Sequence, residues 1–479
     1  MASIPAVTQR VRVLYGFGSV AYGVKDQGFS YFLLIYYSQV LGLPGTLVGA
    51  ALFIALMFDA VSDPLVGYWS DNTRSKLGRR HPFMYTAVIP LVVAYYFLWQ
   101  PPVELLDETG LFIYLIILSV LVRFFITLYE IPSTSLVAEL TTDYDERTRL
   151  LGYRYMFGWI GGLGIAILAL STFFKATPEF AHGLYNPAGY KPYVITGCIL
   201  MAISILVSSV GLRKFIPYLK QPPVRDKKWS FSEVFSEVWE TLSNRNFLVL
   251  FLAAAFSYIG WGIETNLNTY ASSFFWEFTS EKMAIINSSL LISAVVGGLL
   301  APWFVRRFDK KHAAMGLFGF FIFFSPLLVF MRLMGWYPDN QWEYLLPVAV
   351  VHYVVIVSAL VMFGAVQSSM LADVVEQSEI NTARREEGLF FAARTFAHKC
   401  AQGFGTLFAG VALDLIAFPR DALPGEVSEE VLTRFGFIYG PLVALFFFLA
   451  LVAISFYTIT RKEHEDRLVE LSSPGENND

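Results

Sequence analysis

Long apolar windows separated by short polar loops run along the whole chain. A helix that crosses a bilayer needs roughly 20 mostly apolar residues. In the first half such windows fall near 12–40, 46–70, 83–100, 111–138, 151–174 and 191–214. In the second half they fall near 246–275, 283–305, 313–334, 344–372, 389–415 and 434–460. Hydrocarbon offers no water to bond a backbone amide, so each window predicts a helix that satisfies its own backbone. The pattern predicts an all-α membrane protein with twelve transmembrane helices.

The polar positions between the windows alternate in charge. Arg74, Lys76, Arg79 and Arg80 follow the second window, Arg147 and Arg149 the fourth, and Lys214, Lys220, Arg225, Lys227 and Lys228 the sixth. Arg306, Arg307, Lys310 and Lys311 follow the eighth, and Arg384 and Arg385 the tenth, whereas the intervening loops carry few basic residues. Loops rich in Lys and Arg stay on the cytoplasmic side. Both termini are therefore expected in the cytoplasm, with the chain as a multi-pass protein of the cell (inner) membrane.

Residues 217–245 divide the chain. Within them, "SFSEVFSEVWETLSN" places Phe231, Val234, Phe235, Val238, Trp239 and Leu242 at helical spacing, with Ser230 and Glu233 forming a capping-box pattern. This predicts an amphipathic helix on the inner leaflet or under the bundle. The expected organisation is a six-helix bundle over 1–216, a cytoplasmic connection over 217–245, a second bundle over 246–462 and a disordered tail over 463–479. The halves echo each other: "STSLVAELTTDYDERTRLLGYR" and "QSSMLADVVEQSEINTARREEGLFFAAR" both set a small-residue turn before an Ala-acidic pair and then arginines. Two pseudo-symmetric six-helix bundles with a site near the midplane is an architecture of secondary transporters.

Composition narrows the class further. Of 479 residues, 55% are hydrophobic and only 15% charged, against about 25% in soluble proteins. The mean hydropathy is +0.53. No large polar block remains for a soluble domain, and Cys198 and Cys400 both fall inside apolar runs, which argues against a disulfide framework.

Ionisable residues inside spans are expensive and mark function by default. Asp59 and Asp63 lie four residues apart, on one face of the second helix. Two ionised carboxylates that close repel strongly at low dielectric, so either one holds a proton or a cation sits between them. This reading would be excluded if fixed arginine or lysine partners permanently neutralised both side chains, with no opening toward an aqueous pocket. Lys25, Asp26, Glu130 and Lys399 sit at comparable depth, and Thr127 offers a hydroxyl one turn before Glu130. Lys25 and Asp26 are adjacent, so a direct bridge between them is not expected. Ser62 is a further oxygen for a hard cation. Arg123, Glu264, His352, Arg394 and His398 read as structural, and Arg154 as a latch, an anchor or a substrate ligand. Asp71, Arg79 and Arg80 lie at the inner surface, where they suit a conformational latch.

Several stretches together resemble the glycoside–pentoside–hexuronide:cation symporters, the melibiose-permease branch of the major facilitator superfamily. They are "YGFGSVAYGVKDQGFSYFLLIYYSQVLGL", "FDAVSDPLVGYWSDNTRSKLGRRHPF", "TLYEIPSTSLVAELT", "VQSSMLADVVE" and "RTFAHKCAQG". The resemblance implies a major facilitator fold and alternating-access symport of a sugar with Na+ or H+, with no other cofactor. It assigns Asp59, Asp63 and Thr127 to the cation, with Ser62 nearby. Asp26, Glu130 and Arg154 go to the sugar, with Lys25, Lys399 and Thr395 alongside. An ionised carboxylate accepts strong bonds from vicinal hydroxyls. The chain departs from the family pattern at Glu130, where Asp is usual, and at Thr134 and Gly364, where aromatic residues are expected. Ser62 stands where an asparagine is expected, which loosens the sodium assignment.

The expected partners are a small-molecule substrate, the coupling cation and the bilayer, with no nucleic acid and a monomeric state. A related branch carries lysophospholipids and is the alternative. A membrane prenyltransferase, whose aspartates would hold magnesium diphosphate, fits "DAVSDPLVGYWSD" only superficially.

Overall fold

The computed structural model describes residues 5–141, 143–218, 245–308, 310–382 and 387–456. The predicted amphipathic helix and the polar tail lie outside them. Every regular element among the described residues is helical. Among the described residues, ten helices are long and apolar enough to cross a membrane, from Gly45–Asn72 to Glu429–Ser455, and each coincides with one of the predicted windows. The other two windows are helical as well. The first is broken into α1 (Gln9–Phe17), α2 (Val20–Gln27) and two π-helical turns, Gly28–Phe32 and Tyr36–Val40. The eleventh is Glu387–Leu415, which carries Arg394, His398 and Lys399.

The described residues form two compact units. The first contains the chain up to residue 218 together with Thr265–Asn287 and Thr406–Leu432. In it, α3 (Gly45–Asn72) packs along α4 (Glu108–Ser135), and α1 and α2 pack along α5 (Tyr144–Leu168). Asp107 caps α4 by accepting a hydrogen bond from the Gly110 amide at 2.8 Å, and Asp143 caps α5 from the Glu146 amide at 3.1 Å. Lipid tails are as apolar as leucine, so close van der Waals approach, rather than expulsion of water, holds such helices together. Glycines provide that approach. A Cβ at Gly23 of α2 would overlap the Gly158 carbonyl oxygen of α5, and one at Gly161 of α5 would meet the Val20 backbone at 2.8 Å.

At one end of this unit the π-turn segment docks into an aromatic block. Tyr36 lies 4.2 Å from Tyr190, and Trp99 stacks on Tyr190 at 5.8 Å. The hydroxyls of Tyr36 and Tyr37 donate to the carbonyls of Trp99 and Leu98 at 3.0 and 2.7 Å. The same end includes the second-half segments. Asp414 accepts hydrogen bonds from the Gly45 and Thr46 amides at the start of α3 (3.2 and 2.7 Å), a favourable place for a carboxylate at a helix N-terminus. At the other end Val11, Tyr15, Leu136, Leu140, Leu150, Leu212 and Phe215 form a buried cluster.

The second unit contains the stretch ending at Glu264, Ser288–Gly405 and the chain from Thr433. Helix Lys310–Phe324 packs against Leu345–Thr382 and Val443–Ser455, with Phe318 stacked on Phe363 at 4.2 Å and Phe321 edge-on to Phe447 at 4.9 Å.

Candidate functional site

The acid pair lies where α3 crosses α4. The Thr127 hydroxyl is 2.9 Å from Asp59 Oδ1 and 3.0 Å from Asp63 Oδ1, so one side chain ties the two carboxylates together. A hydroxyl has a single proton to donate, and it leaves the charge of the pair unmet. That charge is met on Asp59 by Arg123, one turn before Thr127 on the same face of α4. Arg123 Nη1 lies 3.1 Å from Asp59 Oδ2, with the two side chains only 7% and 8% exposed. The guanidinium sits 4.8 Å above the Phe29 ring, which holds it from the opposite face. Pro64 follows Asp63 directly and lacks the amide that would bond the Ala60 carbonyl, so the helix ladder is open beside the acids.

Arg123, which the sequence reads as structural, is a direct partner of Asp59. Its spacing from Thr127 is the signal that would have found it. Ser62 donates to the Asp59 backbone carbonyl at 3.3 Å, within its own helix, instead of joining the carboxylates.

Glu130 lies one turn beyond Thr127 and is 24% exposed. Its Oε1 accepts from Arg154 Nη2 at 2.6 Å and from the Thr134 hydroxyl at 3.3 Å, while Oε2 is buried without a hydrogen-bond partner. Arg154 also donates to Ser133 Oγ at 2.7 Å and lies over the Tyr15 ring at 5.2 Å. Lys25 is 1% exposed, 4.3 Å from the Tyr22 ring centre, and 3.5 Å from Asp26 Oδ1. The adjacent pair thus does touch, because the flexible lysine stem folds back. Asp26 itself is 44% exposed.

In the second unit, Lys399 lies on helix Glu387–Leu415, and the side chain of Thr395 on the same helix is outside the described residues. The His398 ring packs against Tyr258 at 4.0 Å, and His352 Nε2 lies 3.4 Å from the Ser325 carbonyl. Glu264 Oε2 is buried without a hydrogen-bond partner.

The basic residues after the second span gather around an acid that the sequence singled out only as part of a repeated motif. Arg79 Nη2 and Arg80 Nε both donate to Glu139 Oε1, at 2.6 and 3.1 Å. Asp71 Oδ1 lies 2.5 Å from Arg80 Nη2, and Arg80 Nη1 donates to Ser70 at 2.7 Å. All five residues belong to the first unit, so the cluster ties first-half helices to one another at one end.

A bundle of apolar helices with charged groups held inside its spans is the frame of a membrane carrier. The chain belongs to the MFS/sugar transport protein family, whose profile matches residues 14–461. An uncharacterized symporter of Synechocystis is 24% identical, covering 98% of this chain and 97% of that protein. A sphingosine-1-phosphate transporter of Xenopus tropicalis is 26% identical over 95% of this chain and 89% of its own. The isoprimeverose transporter of Lactiplantibacillus pentosus is 22% identical over 94% and 89%. Among solved structures, the inward open xylose transporter of E. coli superposes with a TM-score of 0.62 at 15% identity, covering 96% of this chain and 99% of that one. This is the major facilitator fold. The protein is a multi-pass membrane transporter, and the prenyltransferase reading falls.

Proposed function

We propose that this protein is a secondary active symporter that moves a sugar or glycoside by alternating access, driven by a cation gradient. The single observation that carries the substrate class is Asp26. Its carboxylate is nearly half exposed in the middle of a predicted span. A charge at that depth faces water rather than lipid. An exposed carboxylate beside a buried lysine suits vicinal hydroxyls, which it would accept as paired, charge-assisted hydrogen bonds. The isoprimeverose transporter among the relatives supports the same class. Glu130 takes part through its second oxygen, with Arg154 orienting it. Lys25 lies against Asp26, and Lys399 and Thr395 complete the substrate contacts. Both termini lie in the cytoplasm, and the monomer is the working unit.

A second reading, a lysolipid carrier, is favoured by the engagement of Glu130 with Arg154 and by the sphingosine-1-phosphate relative. Thermal unfolding of the purified protein against a panel of glycosides and lysolipids separates the two. A glycoside should stabilise the wild type and fail to stabilise Asp26→Asn. Stabilisation by lysolipids alone would replace the sugar reading with the second one.

A further inference from the structure

The acid pair that the family resemblance assigns to a coupling ion already holds a cation belonging to the chain. We infer that Arg123 is a tethered counter-ion that closes this site to Na+, and so determines which coupling ion the carrier accepts. The inference rests on reading the chain as a cation-coupled symporter.

Four observations converge on it. First, both carboxylate oxygens of Asp59 are engaged, Oδ2 by Arg123 at 3.1 Å and Oδ1 by Thr127 at 2.9 Å. Sodium is a hard ion and needs those same oxygens. Second, Ser62 points its hydroxyl proton at its own helix backbone and adds nothing to the pair. Third, the Thr127 hydroxyl is already shared between Asp59 Oδ1 and Asp63 Oδ1, at 2.9 and 3.0 Å. Fourth, Arg123 is locked. It is buried and lies against Phe29. Moving the guanidinium off Asp59 would break a buried ion pair.

The neighbouring charges do not relieve this. They are Asp63 on α3, which shares the Thr127 hydroxyl with Asp59, Glu130 on α4, which is engaged by Arg154, and Lys25 and Asp26 on α2, which contact each other. An ion entering beside Asp59 must displace a buried salt-bridge partner, a loss worth about a hundred- to several thousand-fold in affinity. The residues present therefore do not fit a sodium site. Of the two coupling ions that the sequence allows, H+ is left.

The test uses full-length protein in lipid nanodiscs, with radiolabelled sodium and no substrate. Wild type should show no saturable sodium binding, and the same melting temperature in NaCl as in choline chloride. Arg123→Ala should gain saturable binding and sodium-dependent stabilisation, both lost again when Asp59→Asn is added. Arg123→Gln serves as the second variant, since it keeps the volume and removes the charge. Saturable sodium binding by the wild type would overturn the inference whatever the variants do. So would folded Arg123 variants that bind no sodium. Because nothing is transported in this assay, a failed sugar reading leaves it standing, and a failed ion assignment leaves glycoside binding unaffected.

Discussion

Replacing Asp59 by asparagine should destabilise the protein far more than the same change at Asp63, although both remove a carboxylate from one helix face. Asp59→Asn strands the Arg123 guanidinium, whose side chain is 7% exposed and whose partner at 3.1 Å disappears. Breaking a buried pair from one side costs about 3–5 kcal/mol, because the surviving charge is left uncompensated. Asp63→Asn leaves an amide oxygen 3.0 Å from Thr127 Oγ1, so the hydroxyl keeps an acceptor there. The loss should be about 0.5–1.5 kcal/mol, that of an ordinary hydrogen bond. The pairing itself is read from a double-mutant cycle. Adding Arg123→Gln to Asp59→Asn removes the stranded charge, so the double variant should be more stable than the sum of the single losses by about 2–3 kcal/mol. Thermal unfolding at a fixed scan rate, followed with a thiol-reactive dye in a Cys400→Ser background, gives the readout through Cys198, which is 7% exposed. Equal losses at Asp59 and Asp63 with strictly additive doubles would refute the assignment of Arg123 to Asp59.

Glu139→Gln should lower thermal stability by about 3 kcal/mol or more, since one oxygen serves two arginines and Arg80 is buried. Asp71→Asn, at a half-exposed carboxylate, should have a much smaller effect in the same melt. Gly23→Ala should sharply reduce the yield of folded protein, because the added carbon overlaps the Gly158 carbonyl. Gly164→Ala, which meets nothing within 4 Å, should leave the elution profile in detergent unchanged. Glu130→Gln should reduce glycoside stabilisation in the thermal screen, while Arg154→Lys should restore little when combined with it, since a lysine cannot reproduce contacts to both Glu130 and Ser133. Full glycoside stabilisation in Glu130→Gln would remove Glu130 from the substrate set.

The membrane architecture was legible because hydrocarbon leaves a backbone few choices, so apolar length alone locates helices. The acid pair was legible from spacing, since Asp59 and Asp63 share a helix face wherever that helix sits. The pairing of Arg123 with Asp59 was not legible because its partner is on another helix, and relations between helices are not written in the periodicity of either. The Lys25–Asp26 contact was missed for a different reason. Adjacent positions point apart on a helix, but four methylenes let an ammonium swing back. The break in the first helix depends on where Gly28 and its π turn meet Tyr95, a packing detail that no hydropathy window resolves. Glu139 was visible only as a motif letter until two arginines met it.

The backbone contact between Gly23 and Gly158 sets how the first bundle can deform. Where side chains pad an interface, rotamers can slip past one another and absorb a small shear. Where peptide lies directly on peptide there is no such cushion, since protein interiors resist compression. The first helix and its neighbour should therefore travel as one strut during the transport cycle, and bending has to be taken up at junctions lined with movable side chains.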